Sequence, residues 1–137
     1  MRFIPTAIHG VLDYLTGAVL LILPRVLGFS DNSTAVMTFL AITVIIYSIL
    51  TRYELGLIRV IPMRGHLGLD FVAAILTLAA PFFLQITNSA EIIAFTAIGL
   101  MELIVTLVTK THPSFDIAEA RITRENTSSE ADHYSPR

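Results

Sequence analysis

Four long apolar stretches dominate the first 110 residues of the chain. They cover about residues 5–29, 33–51, 65–86 and 90–110. Each is close to the about 20 residues that a helix needs to cross the hydrocarbon core of a bilayer. Because the apolar positions run on without alternating, they are typical of membrane helices and not of barrel strands. The pattern predicts an all-α, polytopic membrane protein with four transmembrane helices.

The polar connections between these stretches indicate how the helices pair. Residues 30–33 and 87–89 are short and polar, which is typical of tight turns between antiparallel helices. The middle connection, residues 52–64, is longer. We therefore expect residues 1–110 to form one domain of two tandem helical hairpins.

The composition excludes several classes of protein. The chain is 54% hydrophobic and only 15% charged, with a mean hydropathy of +0.72. An ordinary soluble domain is about one-quarter charged, so this chain has too few polar residues to cover a soluble surface. A net charge of −2 provides no basic field for nucleic acid, and the absence of cysteine excludes disulfides and thiolate ligands. The expected partner is the lipid bilayer.

The basic residues of the first 110 positions lie mostly at one end of the predicted bundle. Those at that end are Arg2, Arg52, Arg59, Arg64 and Lys110. Only Arg25 lies near the other end. By the positive-inside rule, we expect both termini and the middle connection to be cytoplasmic.

Residues 111–137 differ in character and are expected to form a cytoplasmic tail. Residues 115–124 could form a short amphipathic helix, because apolar side chains recur along one side. From Glu125 onward the sequence is polar and serine-rich, and we expect it to be disordered.

The two predicted hairpins are copies of one unit. Displacing the sequence by 57 residues superimposes the pattern R-x-I-P-x3-H-x2-L-D-[YF] on itself, and the repeat units cover about residues 2–51 and 59–110. The displacement also aligns Pro24 with Pro81. Because both copies begin on the same side, we expect a pseudo-twofold axis along the membrane normal.

The repeated unit resembles the SPW-repeat family of small prokaryotic integral membrane proteins, which are built from a tandem two-helix repeat. In that family a Ser-Pro-Trp motif ends the first helix and commonly precedes a Gly-Phe pair. Here Pro24 and Pro81 stand at the motif proline, and Gly28-Phe29 follows the first copy. The resemblance covers about residues 1–110. It implies a prokaryotic inner (plasma) membrane protein, and it implies no activity.

We single out five ionisable residues within the predicted helices, because such residues are costly inside a membrane and mark functional sites. They are His9, Asp13, His66, Asp70 and Glu102. In each copy the histidine and aspartate are four residues apart and share one helix face. Nitrogen and oxygen ligands without sulfur suit Zn, Mn, Fe or Ni. Our hypothesis is that these five residues bind a divalent metal ion.

Three alternatives remain open for the same residues. They could form a proton relay or ion path, in which histidine titrates near neutral pH. Each aspartate could instead only hydrogen-bond its own histidine and stabilise helix packing. A haem held by His9 and His66 is less favoured, because the aspartates would place charge against the porphyrin. Tyr47 and Tyr53 are most simply interpreted as aromatic-belt residues.

We expect a small multi-pass membrane protein that binds a divalent cation or relays protons through an inner-leaflet cluster. The alternative is a non-catalytic membrane scaffold or partner subunit. An enzyme is less expected, because the sequence contains no phosphate loop or nucleophile motif. A conducting path through four helices would require a homo-oligomer or a membrane protein partner.

Overall fold

The computed structural model describes residues 2–133, which form five α-helices and two very short strands. The first four helices are α1 (Thr6–Val26), α2 (Asp31–Leu50), α3 (Met63–Phe83) and α4 (Ser89–Val108). All four are long and apolar enough to cross a membrane. Their ends differ from the sequence boundaries by at most three residues. The helix α5 (Ser114–His133) follows them.

Consecutive helices pack as the two expected hairpins, α1 with α2 and α3 with α4. The turn between α1 and α2 begins at Gly28, whose φ of 63° lies in the left-handed region that favours glycine. There the Phe29 amide donates to the Pro24 carbonyl at 2.9 Å, which closes the end of α1. The Ser30 side chain then caps α2 by accepting from the Ser33 amide.

The two hairpins match each other in detail. α1 and α3 both contain 21 residues, and α2 and α4 both contain 20. Pro5 and Pro62 precede α1 and α3 with nearly identical backbone angles. Each proline presets a helical φ and needs no amide partner, so it marks the start of its helix.

Short strands join the two hairpins at the end that carries the middle connection. β1 (Thr51–Arg52) pairs in parallel with β2 (Ile61–Pro62), and Ile4 forms a parallel bridge with Thr109. The sequence pattern predicted helices only, and it did not predict this pairing of short strands. It arises because a residue before proline avoids the helical region, so Ile4 and Ile61 stay extended beside the extended ends of α2 and α4.

A buried glutamate joins the hairpins at the opposite end. Glu91, 3% exposed at the start of α4, accepts hydrogen bonds from the Ser30 amide and hydroxyl, each at 3.0 Å, and from the Ser33 hydroxyl. These donors belong to the start of α2, so one carboxylate links the two helices at this end.

The outer surface of the four helices is apolar. Large hydrophobic side chains are exposed along every helix, among them Leu15, Phe39, Phe82 and Ile93. A soluble monomer rarely exposes continuous apolar surface of this extent. Many polar side chains of the bundle, among them Thr16, Ser48, His66 and Asp70, are instead buried in its interior.

The tail differs from the sequence prediction, because α5 continues past Glu125 to His133. No glycine or proline interrupts residues 115–133, so nothing in that stretch forces the helix to end. The Thr123 and Thr127 hydroxyls also donate to carbonyls one turn earlier. Residues 134–137, which belong to the same predicted disordered segment, lie outside the described residues.

Glu54 connects the middle loop to the starts of α1 and α5. Its carboxylate accepts from the Thr6 hydroxyl at 2.6 Å, and from the Ser114 amide and hydroxyl at 2.8 and 2.7 Å. Partial burial raises the pKa of Glu54, but these hydrogen bonds outweigh it and hold the pKa below its usual value.

The Glu54 contacts should make the docking of α5 pH-dependent. A lowered folded pKa means that their stabilisation is present above the unfolded pKa and is lost as pH falls through the folded value. Amide hydrogen exchange at the start of α5 should therefore accelerate under acidic conditions. Glu54→Gln should accelerate the exchange at neutral pH, whereas the exposed Glu119→Gln should not. Equal amide exchange rates at the start of α5 in the wild type and in both variants would contradict this role of Glu54.

Gly10 should be required for the packing of Tyr53, which is 0% exposed. A Cβ at position 10 would lie 2.0 Å from Cε2 of the Tyr53 ring. Gly10→Ala should lower the free energy of unfolding by about 1–3 kcal/mol through overpacking. Gly68→Ala is the control, because its Cβ would meet nothing within 4 Å. Thermal unfolding in detergent, followed by circular dichroism, compares the two variants, and equal midpoints would contradict the prediction.

Candidate metal centre

Two histidines and two aspartates meet in the interior of the bundle. His9 and Asp13 come from α1, and His66 and Asp70 come from α3. One ligand atom from each lies within 4.8 Å of all the others. All four residues are buried, with at most 7% of their surface exposed. The spacing of four residues places each pair on one helix face, and the packing of the two hairpins brings those faces together.

The shortest contacts in this cluster cross between the helices. His9 Nε2 lies 2.9 Å from Asp70 Oδ2, and His66 Nε2 lies 3.0 Å from Asp13 Oδ2. The contacts within one helix are longer, 3.5 Å for the first pair and 3.3 Å for the second. The alternative in which each aspartate bonds only its own histidine is therefore wrong. The two Nε2 atoms lie 3.1 Å apart.

Two threonines orient the imidazole rings. Thr109 and Thr51 follow α4 and α2, and each hydroxyl donates to the carbonyl four residues earlier, at 2.7 and 2.6 Å. A hydroxyl has one proton, so each oxygen must accept from the facing ring nitrogen. Those nitrogens are His9 Nδ1 at 3.0 Å and His66 Nδ1 at 2.9 Å. The contacts assign the Nδ1 protons and leave both Nε2 atoms facing the aspartates.

Hydroxyl groups from α2 hold the aspartates. The Tyr47 hydroxyl donates to Asp70 Oδ1 at 2.7 Å, and the Ser48 hydroxyl donates to Asp13 Oδ2 at 3.1 Å. The ring of Tyr53 lies over the His66 ring with centroids 5.6 Å apart. The aromatic-belt interpretation of both tyrosines is therefore wrong, because both are buried against the cluster.

The sequence contained one signal for the orienting threonines. The second helices of the two hairpins align at a displacement of 58 residues, which superimposes Thr51 on Thr109. Tyr47 carries no such signal, since its counterpart is Val105, whereas Ser48 aligns with Thr106, another hydroxyl residue.

Glu102, the fifth predicted ligand, is not one of the four residues whose atoms converge. It lies on α4 and lines a cavity of about 20 Å³ together with His9, Asp13 and Asp70. This volume is enough for a single water-sized occupant. Within residues 2–133, its buried Oε2 has no hydrogen-bond partner. The cluster closes between α1 and α3, and the glutamate stands beside it.

A haem between the two histidines does not fit. The ring centroids of His9 and His66 are 5.2 Å apart, and the rings meet edge to face at 80°. With the two Nε2 atoms in direct contact, no macrocycle can lie between them.

Comparison of the chain with family models, with curated proteins and with solved structures finds no match. The donor atoms of the cluster and their partners are therefore the basis for a functional proposal.

Tyr47→Phe should measurably destabilise the bundle, because it leaves Asp70 Oδ1 buried without its donor. The expected loss is about 1 kcal/mol in the free energy of unfolding. Tyr14→Phe is the matched control, since the Tyr14 hydroxyl makes an exposed and longer contact, 3.3 Å, with the Leu55 carbonyl. Unfolding in detergent by circular dichroism should separate the two. An equal loss in both would show that the Tyr47 contact has no special weight.

Proposed function

We propose that this protein is a four-helix membrane protein that binds one divalent cation between α1 and α3. The convergence of His9, Asp13, His66 and Asp70 carries the proposal. Ligands at about 2.0–2.1 Å from a tetrahedral Zn²⁺ are about 3.3 Å from one another. The contacts between histidine nitrogens and aspartate oxygens are 2.9–3.5 Å. Mn²⁺, Fe²⁺ and Ni²⁺ accept the same donors, and Zn²⁺ is the ion we propose to test first because four nitrogen and oxygen ligands suit its tetrahedral coordination.

The charge of the cluster supports a dication. Asp13 and Asp70 are buried among apolar helices, where an uncompensated charge costs several kcal/mol. Two carboxylates and one divalent ion sum to zero, so the cation removes this cost. Both Nε2 atoms are also free to act as ligands, because the Nδ1 protons are bound by the threonines.

The hydrogen bonds around the four residues support a metal site. A ligating histidine almost always donates its second ring nitrogen to an oxygen partner, and ligating carboxylates accept hydrogen bonds in turn. Thr109 and Thr51 supply the first kind of contact, and Tyr47 and Ser48 supply the second.

The proposal includes a position in the membrane. The exposed apolar surface of α1–α4 supports insertion of the bundle. The basic residues near β1 and β2 support a cytoplasmic location for that end and for both termini. The matching hairpins support a pseudo-twofold axis along the membrane normal. This arrangement agrees with the resemblance to the SPW-repeat family and with a prokaryotic inner membrane. The cation then lies toward the cytoplasmic leaflet.

A proton relay is the second candidate, and Glu102 is the observation that favours it. Its buried carboxylate lines the same small cavity as His9, Asp13 and Asp70, so titratable groups from α1, α3 and α4 border one space. If the cluster binds neither a metal ion nor protons, the remaining function is that of a membrane scaffold or a partner subunit, alone or as a homo-oligomer.

Elemental analysis of the detergent-purified full chain tests whether the cluster binds a cation. After dialysis against Zn²⁺ and removal of the excess, the wild type should retain one metal ion per chain. His9→Ala/His66→Ala should lose it. His112→Ala is the control, because this exposed histidine contacts only Arg64 among the residues that the structure describes.

A second variant separates metal binding from folding. Thr51→Val/Thr109→Val keeps all four ligands and removes only the oxygens that accept from the rings. It should bind Zn²⁺ about 10- to 100-fold more weakly. A folded wild type that retains no stoichiometric metal would contradict the proposal, as would equal metal content in the histidine double variant.

A further inference from the structure

The second hairpin has an open groove that the cation proposal does not use. It lies between α3 and α4, has a volume of about 360 Å³, and is bordered by Arg2, Arg64 and Thr111 at the end that carries the strands. Gly68, Phe71 and Leu107 line it further along the helices. A Cβ at Gly68 would meet nothing within 4 Å, so the groove is open at its middle.

In the first hairpin, the chain itself occupies the corresponding place. The repeat aligns Thr111 with Tyr53, whose ring is wholly buried against Gly10 of α1. The loop then continues past α1, where the Tyr14 hydroxyl donates to the Leu55 carbonyl at 3.3 Å. One hairpin thus receives an aromatic ring from the chain at a place where the other has only a threonine.

The same comparison holds for charge. The residue after Tyr53 is Glu54, which places a carboxylate against the start of α1. Its repeat counterpart is His112, and the counterpart of Ala7 is Arg64. In the first hairpin the chain supplies an aromatic ring and a carboxylate at this place. The groove of the second hairpin lacks both groups, and it has the guanidinium of Arg64 in addition.

Among the side chains that the structure describes, the two arginines at this groove have no carboxylate partner. Arg2 donates to the Thr109 carbonyl at 2.7 Å, and Arg64 contacts His112 at 3.2 Å. Arg52, by contrast, pairs with Asp116 at 3.2 Å. Guanidinium groups bind phosphate oxygens through paired donors, so an anionic group of this kind fits the end of the groove.

We propose that this groove binds one anionic phospholipid. Its phosphate lies between Arg2 and Arg64, and an acyl chain follows Gly68, Phe71 and Leu107 toward the bilayer centre. Basic pockets between membrane helices select anionic headgroups, and the apolar lining supplies the contact for the chain. This inference stands on the groove alone and does not require a cation at the histidine–aspartate cluster.

Native mass spectrometry of the full chain in detergent tests the proposal. The probes are phosphatidylglycerol and phosphatidylcholine with identical acyl chains. The wild type should retain one phosphatidylglycerol, with a preference of about 10- to 30-fold from two arginines. Arg2→Gln/Arg64→Gln should lose this preference. Arg25→Gln is the matched control and should keep it, because Arg25 is an exposed arginine at the other end of the bundle.

Gly68→Leu tests the apolar part of the groove without changing any charge. The added side chain has room and should block the acyl chain, so retention of phosphatidylglycerol should fall although both arginines remain. Equal retention of the two lipids by the wild type would overturn the proposal. So would an unchanged preference in the double arginine variant or in a folded Gly68→Leu protein. Displacement of the lipid by glycerol phosphate at equal concentration would show a site for free anions and would also overturn it.

Discussion

The crossed contacts between His9 and Asp70 and between His66 and Asp13 are the interaction on which the rest of the structure depends. Each Nε2 atom faces the carboxylate of the other hairpin, so the set of ligand atoms is complete only when both hairpins pack together. A polar group without a partner inside an apolar bundle costs several kcal/mol. The relative position of α1 and α3 is therefore specified by chemistry, in a bundle whose apolar surfaces would allow many arrangements.

The end of the bundle with the short strands supplies the groups that orient the two histidines. Thr51 and Thr109 leave their helices in extended conformation, which places one hydroxyl beside each imidazole ring. The parallel pairing with Ile61 and Ile4 holds these threonines in place. The chain thus uses the same few residues to join its hairpins and to orient its histidines. Buried polar networks of this kind are stable only when every member has a partner.

The two copies of the repeat share the residues of the cluster and differ around it. The histidines, aspartates and threonines are present in both, and they form the shared centre. Tyr53 and Glu54 occur only after the first copy, whereas Arg64 and Glu102 occur only in the second. The duplicated unit therefore has one symmetric centre, and the residues around that centre differ between the two hairpins.

The sequence alone determined the four helices, their hairpin pairing and four members of the cluster, because hydropathy and a repeated motif depend only on the order of residues. It could not assign the crossed pairing or place Glu102 beside the four converging residues, since both depend on how helix faces meet across the bundle. It also missed Tyr47, whose hydroxyl reaches Asp70 from another helix. Only the tertiary structure decides such contacts, because an uncharged hydroxyl leaves no periodic signal and its partner is set by packing.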